Sequence, residues 1–186
     1  MAKPAFTFIE LMVTIGLVIM LLTLSGISYR IISTRSQLIM EANQIAVDIR
    51  QAQTYAASSK EFQNLPGRNV WGFYADQSNP GQYIIFNDSV RGNGYYDAGE
   101  EFRTVKLPGG ITIQSMKYLD EDANGNWTET AANNPVVTFT PPDPKVTIKD
   151  GPAAVSHDRF YMVIQDRNNT TKQIEINFFG LIDVTH

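Results

Sequence analysis

The sequence predicts an α+β fold: a long N-terminal helix followed by an antiparallel β-sheet domain. Three observations predict it. From Leu11 to Tyr29 no side chain is ionised. Beyond Arg35, Leu38, Ala42, Ile45, Ile49, Ala52 and Ala56 recur at alternating steps of four and three, an amphipathic helical stripe. After Lys60 short β-type runs alternate with Gly, Asn, Asp and Pro clusters.

No Pro interrupts the chain between Phe6 and Ser59, so a helix from Phe6 to about Ser58 is predicted, roughly 80 Å long at 1.5 Å per residue. Glu41, Asp48 and Arg50 fall away from its apolar stripe. The strand candidates follow: Val70 to Ala75, Gln82 to Phe86, Phe102 to Leu107, Ile111 to Met116, Pro135 to Thr140, Lys145 to Lys149, Phe160 to Gln165 and Gln173 to Phe179. Asn93-Gly94, Gly109-Gly110 and Asn168-Asn169 are turn signals, and Pro141-Pro142-Asp143-Pro144 breaks the chain between two runs.

The head of the chain carries the sharpest motif. Lys3-Pro4-Ala5 precedes Phe6-Thr7-Phe8-Ile9-Glu10, and a membrane-length apolar run follows. A carboxylate there is costly unless it has a function and a partner. A secretory signal peptide would have a shorter apolar core and an A-x-A-like exit, and a plain signal anchor would not need Glu10. The stretch resembles the N-terminus of the type IV pilin and pseudopilin superfamily, with Ala5 where the family usually has Gly and Phe8 where it has Leu. The resemblance implies a pilin-like fold, with the helix packed on the C-terminal β domain. It implies cleavage between Ala5 and Phe6 by a prepilin peptidase, N-methylation of Phe6, and pairing of Glu10 with the first-residue amine of a neighbouring subunit. The implied divisions are a leader at 1–5, a membrane-spanning and filament-core half-helix at 6–29, its amphipathic half at 30–59, and a soluble β-rich domain at 60–186.

A second likeness lies further on. Phe86-Asn87-Asp88 leads through Gly92-Asn93-Gly94 and Asp97-Ala98-Gly99-Glu100 to Leu107-Pro108-Gly109-Gly110-Ile111. This is similar to the minor pseudopilins of the type II secretion system and their type IV pilus counterparts, as is the closing pair Gln173 to Ile176 and Gly180 to Val184. What this implies is a structural subunit and not an enzyme. Its partners would be other pilin or pseudopilin subunits, the prepilin peptidase and methyltransferase, and an inner-membrane assembly platform. The implied location is the bacterial inner membrane, single-pass, with the β domain periplasmic or extracellular. The alternative is a membrane-anchored, calcium-dependent binding module that does not polymerise.

Composition narrows the remaining classes. The net charge of −4 does not favour a nucleic-acid partner, and no Lys or Arg follows Gly180 where one branch of that family binds DNA. With no cysteine, disulfides, thiolate metal sites and thiol catalysis are excluded. Ser156-His157-Asp158 has the letters of a triad, but neighbours on a strand point to opposite faces. Asp120-x-Asp122-x-Asn124-Gly125 matches the first half of a calcium loop, with Asn126 and Glu129 as further oxygen ligands. Ala131 stands where the bidentate Glu belongs, and the same residue types also make ordinary turns.

Overall fold

The computed structural model describes residues 7–62, 70–141, 145–152 and 156–185, with no side-chain description for 24–33. The chain divides into two compact units, Met1–Gln37 and Leu38–His186. The helical segment α1 is Phe8–Ala57, and its two described stretches, 8–23 and 34–57, are taken separately. Thr7 starts the helix: the Leu11 amide donates to the Thr7 carbonyl at 3.2 Å and the Glu10 amide to Thr7 Oγ1 at 3.4 Å. Its end is closed by a Schellman motif. The Ser59 amide donates to the Ala56 carbonyl and the Lys60 amide to that of Tyr55, both at 2.9 Å. Ser59 takes the left-handed position, φ 49°, that Gly usually fills.

In the second unit the stretch from Leu38 lies in one core with two sheets. Leu38, Ala42, Ile45, Ile49, Ala52 and Ala56 are all fully buried there. Strands β1 (Trp71–Ala75), β2 (Gln82–Asn87), β3 (Glu101–Lys106), β6 (Pro135–Thr140) and β7 (Lys145–Asp150) form one sheet in the order β3-β2-β1-β6-β7. Strands β4 (Thr112–Glu121), β5 (Trp127–Ala131), β8 (Arg159–Gln165), β9 (Thr171–Asn177) and β10 (Ile182–Thr185) form the other, ordered β10-β9-β8-β4-β5. All pairings are antiparallel.

The two sheets differ in burial. Strands β8 and β9 alternate buried and half-buried, as a sheet with one wet face must. Strands β1, β2 and β6 are buried almost continuously, because the first sheet is covered on both sides. Its second cover is the β2–β3 connection, whose Tyr95 and Tyr96 pack with Tyr74 over Ile84, Phe86 and Val136. Gly72 makes that layer fit. A Cβ there would meet Phe86 Cε1 at 2.5 Å and the Val137 carbonyl oxygen at 2.9 Å. Gly72→Ala is therefore expected to cost about 1–3 kcal/mol through overpacking, read as a lower urea midpoint. An unchanged midpoint would mean the Phe86 ring yields freely.

Two expectations are corrected. The pilin-like architecture, a long helix with a membrane-spanning half packed on one β-sheet domain, is replaced by a mostly β arrangement. Among the described residues ten antiparallel strands form two sheets, and the helical stretch from Leu38 shares their core. The single-pass inner-membrane location is overturned as well: among the described residues no helix is long and apolar enough to cross a membrane.

Candidate functional site

The stretch 8–23 presents the least ordinary surface. Phe8, Ile9, Leu11, Met12, Val13, Ile15, and the run from Leu17 to Leu22, are each more than half exposed. The exposure goes all round the helix, so no single face accounts for it. A helix apolar on every side is one that other surfaces bury. Glu10, in its first turn, is the sole acidic residue there, and no ion pair engages it among the described residues. Thr7-x-x-Glu10 also has the spacing of a capping box, a local role that sequence reading overlooked. Ala5 and Phe6, the expected cleavage pair, lie outside the described residues.

A polar network ties the other helical stretch to the first sheet. Asp48, placed by periodicity away from the stripe, is only 2% exposed. Its carboxylate accepts from Arg103 Nη2 at 2.6 Å, Tyr83 OH at 2.7 Å and Gln44 Nε2 at 2.9 Å. Burial, then the bond to Asp48, pushes the Tyr83 hydroxyl far above its ordinary pKa. Burial also raises the Glu41 carboxyl, with Asp48 adding to it. Two residues on, Arg50 Nη2 donates to the Ile182 carbonyl at 2.6 Å, and Gln53 Nε2 to that of Gly180 at 3.4 Å. The stretch is thus fastened to both sheets. No amphipathic pattern could show this, because the buried acid's partners are far away in sequence.

The Asp88-to-Glu100 segment folds around its own carboxylates. Glu100 is fully buried and accepts from the Val90 and Asp97 amides at 2.8 and 2.9 Å. Burial raises its carboxyl, and those hydrogen bonds pull against the rise. Asp88 accepts from the Gly94 amide at 2.6 Å, and Asn93 Nδ2 donates to Asp97 at 2.9 Å. These residues build the cover over the first sheet.

The expected calcium ligands are directed to separate partners. Asp120 accepts from the Asp158 amide at 3.1 Å and lies 2.7 Å from His157 Nδ1. Asp122 accepts from the Asn124 and Asn126 amides at 2.8 and 2.9 Å, closing the β4–β5 turn, and these bonds lower its carboxyl pKa. Glu129 pairs with Lys117 at 2.8 Å. Among the described residues no cluster of three or more His, Cys, Asp or Glu is placed to hold a metal. Ser156-His157-Asp158 is split likewise: Ser156 Oγ accepts from the Ile148 amide at 3.2 Å, His157 stacks on Tyr118 at 4.0 Å, and Asp158 accepts from the Glu121 amide at 2.9 Å.

No family model matches this chain, and neither does any curated protein or solved structure. The likeness to pilins therefore rests on the residues themselves. Arg159 pairs with Glu175 at 3.0 Å, Arg167 packs beneath Gly110, and Lys172 is buried, so these three cations do not form one exposed basic face.

Proposed function

We propose that this chain is a structural subunit that assembles with other pilin or pseudopilin subunits, in a type II secretion pseudopilus or a type IV pilus, through its N-terminal helix. The observation that carries this reading is the all-round apolar exposure of 8–23, headed by Glu10. Covering a large aliphatic or aromatic side chain is worth about 1.5–3 kcal/mol. A dozen such side chains in one stretch form an association surface rather than scattered exposure. Helices of neighbouring subunits cover it without leaving backbone groups unpaired. In this role a prepilin peptidase cuts between Ala5 and Phe6 and Phe6 is N-methylated. The new ammonium of one subunit then meets Glu10 of another. The second unit is carried as a folded body, and the role is structural rather than catalytic.

The test is the mature N-terminus. Chain co-expressed with a prepilin peptidase is expected to lose Met1 to Ala5 and gain one methyl group, read by mass spectrometry. An intact Met1, or a cut beyond Gly26, would remove the proposal.

A further inference from the structure

The wet face of the second sheet is built from cross-strand rows. Gln173, Val163 and Ser115 stand in one row across β9, β8 and β4, and Glu175, Tyr161 and Lys117 in the next. Leu119 and Glu129 follow across β4 and β5. A bulge at Gln114 completes the first row. Strand β4 shifts register between Ile113 and Ser115, so Ile113 and Met116 both stay buried while Ser115 comes beside Val163. These side chains line a trough of 310 Å³ that is open to solvent, a volume in the range of small-molecule sites. Its width is that of the β9-β8-β4-β5 run, about 14 Å.

The chemistry of the trough is mixed in a particular way. Val163, Tyr161 and Leu119, all half-buried, form a continuous apolar strip. The charges around it are closed in two pairs: Lys117 with Glu129 at 2.8 Å and Arg159 with Glu175 at 3.0 Å. Arg159 also bonds to the Tyr161 side chain and lies 4.5 Å over the Trp127 ring, which holds Tyr161 in place. With its charges paired, the trough exerts little net pull on an ion. What stays open is hydrogen-bonding capacity of both senses. The Ser115 hydroxyl and the Gln173 amide have no partner among the described residues, and each glutamate keeps one oxygen unbonded there.

We propose that this trough binds a neutral saccharide of one or two rings. The C–H face of a sugar ring lies on Tyr161 and Val163, where the negative face of the aromatic ring favours it. Its hydroxyls, each both donor and acceptor, meet Ser115, Gln173 and the open glutamate oxygens. Apolar faces with hydroxyls around the edge are what a pyranose offers. A charged ligand would have to break one of the two ion pairs. An extended peptide finds its main-chain partners at a sheet edge, whereas this trough lies on the face. The inference does not depend on the assembly role proposed above.

The test uses the full-length chain in a detergent without a sugar headgroup, titrated with cellobiose, lactose and chitobiose and read by amide NMR shifts. One or more of these disaccharides is expected to bind with a Kd on the order of 1 mM. The amides of Ser115, Lys117, Tyr161 and Gln173 should move, and those of the first sheet should not. Tyr161→Ala should weaken binding about tenfold and Gln173→Ala about fivefold, while Tyr161→Phe, which keeps the ring, stays close to the native affinity. Should Tyr161→Ala fail to fold, Gln173→Ala keeps the test decisive. No shift with any of the three at about 20 mM would overturn the proposal. So would glucuronate or glucosamine binding about tenfold more tightly than glucose, or acetylated trialanine amide binding as well as the disaccharides.

Discussion

Glu10→Gln is expected to abolish or strongly slow incorporation into filaments, measured by shearing or cross-linking filaments and blotting for the variant. Glu10 has a local and an intermolecular candidate role, and this substitution separates them. A capping-box partner of Thr7 can be Glu or Gln, so a purely local role predicts normal incorporation. A counter-charge for a neighbour's first-residue ammonium cannot be replaced by an amide. Removing one member of a buried ion pair costs about 3–5 kcal/mol, roughly two to three and a half orders of magnitude in association. Glu10→Asp keeps the charge and shortens the reach by one methylene, so partial incorporation is expected. Normal incorporation of Glu10→Gln would reduce Glu10 to a cap.

Arg103→Met should lower the unfolding free energy by about 2–3 kcal/mol in urea titrations. Breaking a buried pair from one side costs about 3–5 kcal/mol, but the Arg103 side chain is 40% exposed and solvent screens part of it. Asp48 would keep Tyr83 and Gln44 but lose its only cation within bonding distance among the described residues. Asp48→Asn placed on Arg103→Met should recover part of the loss, since Asn still accepts from Tyr83 and no charge remains. A loss under about 0.5 kcal/mol for Arg103→Met would show that Tyr83 and Gln44 alone satisfy the acid.

The buried face from Leu38 to Ala56 was legible because helical periodicity reports one surface, and every stripe position is buried. Strand β6 was legible to the residue, Pro135–Thr140, because its ends are marked by Asn133-Asn134 before it and Pro141 after it. Strand β5 was not. It lies beyond the core, so no alternation marks Trp127–Ala131, and Asp120 to Asn126 read as an ion loop rather than a strand end and a turn. Asp48 was misplaced for another reason: the helix is contacted on more than one side, so a polar residue off the apolar stripe can still face inward. The double cover of the first sheet was equally hidden, since it depends on where the β2–β3 connection folds back. Of the candidate site, Glu10 is described and exposed, and the partner proposed for it lies in another subunit.

The polar fastenings at Asp48, Arg50 and Gln53 have a mechanical meaning. They fall within six consecutive residues of one helix, about 8 Å along its axis, and reach β3, β10 and the turn before β10. A pull directed along that axis would load them side by side, in shear, together with the apolar contacts of the same turns. Bonds loaded in parallel share the force, whereas bonds peeled one after another each carry all of it. The helix is therefore held in the way that best resists being drawn lengthwise out of the β unit.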